Sequence, residues 1–300
     1  MKIGLVIHHA EDSSGGPPSY AEMRAMAQTA DSGGLDSIWI FDHLLFRHDP
    51  AQTEGIWEGW TLLSGLAEAT DRVELGTLVL CNPFRNPALL AKMAHTLDEV
   101  SGGRLILGLG AGWHEPEFTA FGFPFDHRVG RFEEALQIVP PLLRGETVTF
   151  EGSYYRVDAC VVTPLGPRPQ GIPLLVGGRR PRMLRLVARY ADLWNTAWLG
   201  EAHELPPRLA RIQAACAEVG RDPDTLAITA GVQVAYPDLG PTNYFTEKPL
   251  GGPAEVLAEA FQAYAALGVA HVIVHLTPPT LAGVERLAAA VTLYRQLDEP

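Results

Sequence analysis

The chain has 300 residues, 47% of them hydrophobic and 19% charged, with 35 acidic against 23 basic side chains and a formal net charge of -12. So acidic a balance argues against nucleic-acid and anionic-membrane partners, which need basic patches to neutralise phosphates, and favours small molecules. Cys81, Cys160 and Cys216 lack the even number and spacing of a disulfide framework or a Cys-based zinc site, and reduced thiols are expected.

The first apolar run is too short for a signal peptide, and no segment approaches the roughly 20 apolar residues of a membrane span. A soluble, cytoplasmic protein is expected. Residues 3–7 read as a buried strand ending at His8 and His9, residues 19–30 as a helix stopped by Gly33 and Gly34, and residues 37–41 as a second strand running into Asp42 and His43. After a loop rich in His, Asp and Trp, a helix is expected over 60–69. Strand GTLVL follows, then a helix opened by Asn86 and Pro87 and closed by Ser101-Gly102-Gly103, then strand RLILGLG. These two strands are almost continuously apolar, as strands covered on both faces must be, so the sheet is parallel and buried.

Residues 114–128, HEPEFTAFGFPFDHR, carry too much Gly, Pro and aromatic content for a regular helix and read as a functional loop. A helix over 131–143 precedes TVTFEGSYYRV, a hairpin excursion near 147–157 turning at Glu151-Gly152. Alternation then resumes with strand 173–176, turn Gly177-Gly178, helix 182–190, strand 192–196, helix 203–219 and strand 226–234. A Pro/Gly-rich loop, helix 253–267, strand 271–275 and a last helix over 281–297 complete the chain. Length alone slightly favours two domains, but eight strand–helix units without a linker match a single closed (β/α)8 TIM barrel with insertions over 1–300. A doubly wound sheet is the runner-up. It needs a nucleotide fingerprint after the first strand, and HHAEDSSGGPPS lacks the G-x-G-x-x-G spacing.

In a barrel, residues at strand ends share one face. His8, His9, Asp42, His43, Asn82, Trp113, His114, Gly177, Gly178, Asn195 and His275 all fall there. Asp42-His43 reads either as a cap or loop bond, or as a general acid/base whose imidazole is oriented by the adjacent carboxylate. Gly108, Gly110 and Gly112 lie on one strand face, where backbone can approach a flat ligand; a crowded barrel interior also favours them. Gly177-Gly178-Arg179-Arg180-Pro181 is a plausible anion site at a helix start, or an ordinary strand–helix turn. Adjacent His8 and His9 point to opposite faces and no H-x-H or H-E-x-x-H pair occurs, so a metal-dependent TIM-barrel hydrolase is only a distant alternative and no metal ligands are assigned.

With SIWIFDHLL, the run from EGWTLL to GWHEPEF, RFEEALQIVPPLL, PLLVGGRRPRMLRLVARYADLWN, GGPAEV and GVAHVIVHL in order, the chain resembles the bacterial luciferase-like flavin monooxygenase superfamily, and within it the branch that uses the deazaflavin coenzyme F-420. The resemblance implies a cofactor across the carboxyl ends of the strands, with Asp42 and His43 beside its ring. It also implies a bulge with a cis Leu78-Val79 peptide behind the ring, and Gly110 and Trp113 lining the slot. His114 follows where relatives vary, and Gly177, Gly178 and Arg179 hold the phosphate. The activity it implies is hydride exchange between F-420 and a small organic substrate, with His43 moving the proton and Asp42 orienting it. The alternative is an FMN-dependent monooxygenase served by a separate flavin reductase. A homodimer is implied in either case. Substrate-shaping loops are expected at 46–57, 115–125 and 236–251, where Trp57, Phe121, Phe123, Phe125, Tyr244 and Phe245 suit an apolar or ring-bearing ligand.

Overall fold

The computed structural model describes residues 1–11, 16–168 and 170–298. The turn after the first strand, where no dinucleotide fingerprint was expected, lies partly outside them, at residues 12–15. Eight parallel strands close on themselves: β1 (Lys2–Val6), β2 (Ser37–Ile40), β3 (Glu74–Thr77, resuming at Leu80–Cys81), β4 (Leu105–Gly110), β5 (Leu174–Gly177), β6 (Leu193–Leu199), β7 (Ala227–Ala235) and β8 (Val269–Thr277). β8 pairs with β1, and β4 pairs with β5, which completes the barrel. The helices alternate with the strands as α1 (Tyr20–Ser32), α2 (Gly59–Glu68), α3 (Pro87–Val100), α4 (Glu115–Phe121), α5 (Arg128–Leu143), α6 (Pro181–Tyr190), α7 (Pro206–Val219), α8 (Ala254–Ala266) and α9 (Leu281–Asp298). The hairpin pairs Val148–Glu151 with Arg156–Cys160 between α5 and β5.

Local chemistry sets the helix starts. Ser19 and Glu22 form a capping box on α1, and the Asn86 side chain accepts from the Ala88 and Leu89 N–H groups while Pro87 fills a position that needs no donor. The segment expected to be a loop is helical in part: Pro116 lies in the first turn of α4, where its missing N–H costs nothing, and Gly122 ends the helix at φ 76°. Both residues that look like breakers are its boundaries. Among the described residues no helix is long and apolar enough to cross a membrane.

Alternation along the strands separates two apolar layers. Ile3, Leu5, Leu105, Leu107, Leu109, Leu174 and Val176 pack outward against the helices, while Val6, Trp39, Ile106, Leu175 and Ile273 form a separate cluster inside the barrel. Trp39 plugs the interior. Its indole N–H donates to Ser37 Oγ at 2.6 Å, and that hydroxyl lies 2.7 Å from His271 Nε2. Burial pushes His271 down to about 3, so the interior carries a neutral imidazole.

The plug fits because Gly76 stands beside it: a Cβ there would sit 2.0 Å from Trp39 Cε3. We expect Gly76→Ala to destabilise the protein by about 3 kcal/mol, since neither the strand nor the indole has room to give. Denaturant unfolding checks this, and a midpoint equal to that of the unsubstituted chain refutes the close approach.

Candidate functional site

The second strand delivers Asp42 and His43 to the carboxyl rim, and the structure gives them separate partners. Asp42 is buried, and its two oxygens accept from Arg85 Nη1 at 2.7 Å and Nη2 at 3.0 Å, a bidentate pair. Oδ2 also accepts the Cys81 N–H at 2.7 Å, tying the end of β2 to the resumed part of β3. Arg85 Nη2 reaches Glu58 at 2.7 Å, and the Glu58 carboxylate caps α2 through the Trp60 and Thr61 N–H groups. Burial works against the charge on Arg85, but the neighbouring Asp42 and then Glu58 more than offset it and raise its pKa.

The expectation that Asp42 orients His43 is therefore corrected. Consecutive residues leaving a strand point to opposite faces, and the Asp42 carboxylate is engaged on its own side. Glu117, from α4, takes the orienting place. Its Oε1 lies 2.9 Å from His43 Nδ1, and its Oε2 accepts the Leu44 N–H at 2.8 Å. Glu117 is buried and His43 only partly so. A carboxylate is acceptor-only, so Nδ1 carries the proton in this pair and Nε2 is left to take or give one. Sequence reasoning missed Glu117 because it lay in a stretch read as irregular; its signal was the Glu three residues beyond His114, on the inner face of a short helix of 7 residues.

Aromatic rings wall this pair. His43 lies 4.5 Å from the Phe46 ring and 5.4 Å edge-on from Trp113, whose indole is exposed. His114 is buried, and its Nε2 accepts the Arg47 N–H at 3.0 Å, so it fastens the loop after β2. Burial lowers its pKa, in keeping with an acceptor nitrogen. His9 is likewise a structural residue: its ring nitrogens face the Ile7 and Phe41 carbonyls, and burial drives it to about 4.

Opposite this wall, β3 is interrupted at Leu78-Val79, whose peptide is cis, the feature that the resemblance implied. A second non-prolyl cis peptide, Ala197-Trp198, was not foreseen. Val79 lies between two glycines: a Cβ on Gly110 would be 2.7 Å from Val79 Cγ2, and one on Gly177 would be 3.4 Å from Val79 Cγ1. Leu78, Val79, Gly110 and Gly177 thus make one shallow bed. Two buried polar atoms, Asn82 Oδ1 and His275 Nδ1, have no protein partner. Beyond Gly177, the Gly178 carbonyl accepts the Trp194 indole N–H at 2.9 Å, while Arg179 and Arg180 reach solvent at the start of α6. Among the described residues no group of three His, Cys, Asp or Glu side chains converges to hold a metal ion.

Fold and rim together define a (β/α)8 barrel of the enzyme type, with a His–Glu pair and an apolar bed at the carboxyl ends of its strands. The chain belongs to the luciferase-like monooxygenase family, whose sequence model matches residues 1–238. Over 214 residues it is 30% identical to a 5,10-methylenetetrahydromethanopterin reductase of Archaeoglobus fulgidus, covering 70% of this chain and 59% of that protein. It is 35% identical over 200 residues to an F-420-dependent glucose-6-phosphate dehydrogenase of Amycolatopsis mediterranei, covering 64% of this chain and 56% of that protein. The chain thus spans less than two thirds of the length of these relatives. The solved structure of an F-420-dependent secondary alcohol dehydrogenase in complex with an F-420–acetone adduct shares the fold, with a TM-score of 0.78 and 19% identity over 98% of this chain and 99% of that one.

The two acidic partners separate by experiment. Asp42→Asn leaves the largely buried Arg85 guanidinium with only the more exposed Glu58 as counter-charge and is expected to cost about 3 kcal/mol in denaturant unfolding. Glu117→Gln keeps an acceptor for the Leu44 N–H and is expected to cost about 1 kcal/mol or less. Equal losses would contradict the division of roles.

Proposed function

We propose that the chain is an oxidoreductase that exchanges a hydride between coenzyme F-420 and a small organic substrate at the barrel mouth. The observation that carries this reading is the His43–Glu117 pair at one edge of the bed formed by Leu78, Val79, Gly110 and Gly177. The residues fit a flat, anionic cofactor. The bed is free of large side chains where Gly110 and Gly177 flank Val79, the buried Asn82 Oδ1 is a polar atom awaiting a partner, and Gly178 and Arg179 begin a cationic turn.

When bound, the deazaflavin gives or receives the hydride. The chain's own residues do the rest. Leu78, Val79, Gly110 and Gly177 would support the ring, Trp113 would border it, and Gly178 and Arg179 would hold the phosphate. His43 Nε2 would move the accompanying proton to or from the substrate, with Glu117 fixing the tautomer. Asp42 acts at one remove, by joining the strand ends on which the bed and His43 stand, and His114 fixes the loop that carries Phe46. The curated relative from Amycolatopsis mediterranei supports the cofactor, being F-420-dependent by name.

The second reading, FMN-dependent oxygenation with a separate reductase, is favoured by the family's own designation. The two differ in which ligand binds. We expect oxidised F-420 to bind the purified protein at micromolar or lower concentration, read by ring fluorescence, and FMN to bind more weakly; the reverse order would overturn the hydride reading.

The proton role has its own test. His43→Ala is expected to lower kcat about 100-fold or more while F-420 affinity stays within about threefold, a margin worth less than 1 kcal/mol. Glu117→Gln should lower kcat in the same direction by a smaller factor. Unaltered turnover in the His43 variant would remove that residue from the chemistry.

A further inference from the structure

The turn after β5 opens into a cavity that the ring-binding bed does not use. It lies outside β6, between the start of α6 and the first turns of α7, and has a volume of about 380 Å³. Four guanidinium groups line it, from Arg179, Arg180, Arg208 and Arg211, with Thr196 and Trp194 at its back. In a chain with a net charge of -12 this is a pronounced local reversal of sign.

These four charges are placed but not neutralised. Arg208 donates to Thr196 Oγ1 at 3.0 Å and to the Trp198 carbonyl at 3.2 Å, and Arg211 donates to the Arg179 carbonyl at 2.6 Å. Every acceptor in that set is neutral. Two of the three arginines within α6 are matched: Arg182 pairs with Glu133 and Arg185 with Glu218. Among the described residues no carboxylate lies within ion-pair distance of the cavity's four. Burial, and then the charge of Arg179, press Arg208 below its ordinary pKa, and the opposing pull of the Glu204 carboxylate does not offset them.

We propose that this cavity is a polyanion subsite that receives the tail of the cofactor, a phosphodiester followed by carboxylates, and so selects a deazaflavin with an oligoglutamate tail over FMN. The inference rests on the hydride reading and extends it from the ring to the far end of the ligand. A terminal monophosphate is already served by the Gly177-Gly178 turn and one arginine. Three further guanidiniums on two helices suit a ligand whose negative charges continue past the phosphate, and bidentate arginine suits both phosphate and carboxylate. The tail then lies between α6 and α7 while the ring lies across the strand ends, the two joined at the turn that opens with Gly177.

The test compares three ligands by fluorescence titration: F-420, the same deazaflavin ring with its ribityl chain but no phosphate or tail, and FMN. Arg180→Gln combined with Arg211→Gln removes two exposed charges, and its thermal midpoint confirms folding. F-420 is expected to bind at least about tenfold more tightly than the tail-less ring at low salt, the scale of one charge-assisted contact. The double variant should lose about tenfold or more for F-420 and nothing for the tail-less ring, and added salt should narrow the gap. Equal affinities for the two deazaflavins, or equal loss for both in the double variant, would overturn the subsite while leaving the hydride reading standing. Binding of FMN with neither deazaflavin would overturn both. A γ-linked oligoglutamate alone should raise the thermal midpoint of the unsubstituted chain and not that of the variant.

Discussion

The buried ion pair between Asp42 and Arg85 is the interaction on which the geometry of the rim depends. A carboxylate at this depth is costly to desolvate unless its lone pairs are all engaged, and here one guanidinium and the Cys81 N–H engage them. Because the donors come from the end of β3 and the turn after it, satisfying Asp42 fixes the height at which β2 and β3 finish relative to one another. Glu58 extends the same network to the start of α2. The arrangement has a consequence one residue further on. With Asp42 occupied by Arg85 and the Cys81 N–H, His43 finds its acid elsewhere, on α4. Glu117 answers both needs there, since its second oxygen holds the Leu44 N–H and so the backbone that carries the imidazole.

A second constraint acts from below. Inward positions along the strands alternate between large and absent side chains. At the level of Trp39 the interior is filled, and Gly4 and Gly76 are the space that the indole and its Ser37 partner require. One layer higher, Gly110 and Gly177 remove side chains where Val79 turns inward. The closed floor and the open upper layer follow from the same pleat. A flat ligand can then rest across the strand ends without sinking into the barrel, and close packing beneath it keeps the bed rigid.

Much of the fold was legible because its signals are local. Continuous apolar runs marked buried strands, Asn86-Pro87 marked the start of α3, and the tally of alternating units gave a closed barrel. The likeness to a family, not any spacing, pointed to the cis peptide at Leu78-Val79, whereas the turn at Gly177 was legible from its own glycines and arginines. What escaped was non-local. Adjacency in sequence suggested that Asp42 serves His43, but the pleat sends neighbours apart, and the acid that does serve His43 lies 74 positions away. Arg85 carried no signal of its own, because its partner is 43 positions away, across a strand boundary. Arg208 and Arg211 look like ordinary solvent-facing residues of an amphipathic helix, and only the packing of α7 beside α6 sets them next to Arg179. Pro116 and Gly122 misled in a different way: taken as breakers of a helix, they are its two ends.

On the proposed reading, the two halves of the site divide the work of binding and chemistry. The ring end offers few polar contacts: an aliphatic bed, aromatic walls and one His–Glu pair. Such a surface gives little orientation by itself, because apolar contact is non-directional. The far end is the opposite, four directional guanidiniums in a chain whose overall charge repels anions. An anionic tail gains there what the ring cannot, and its anchorage limits the distance at which the ring can lie from His43. Binding free energy gained far from the reacting atoms is then expressed as positioning at them, and remote contacts raise turnover in this way only when the scaffold between is stiff. That stiffness returns to the strand ends, where Asp42 holds β2 to β3 and Val79 is lodged between the glycines of β4 and β5.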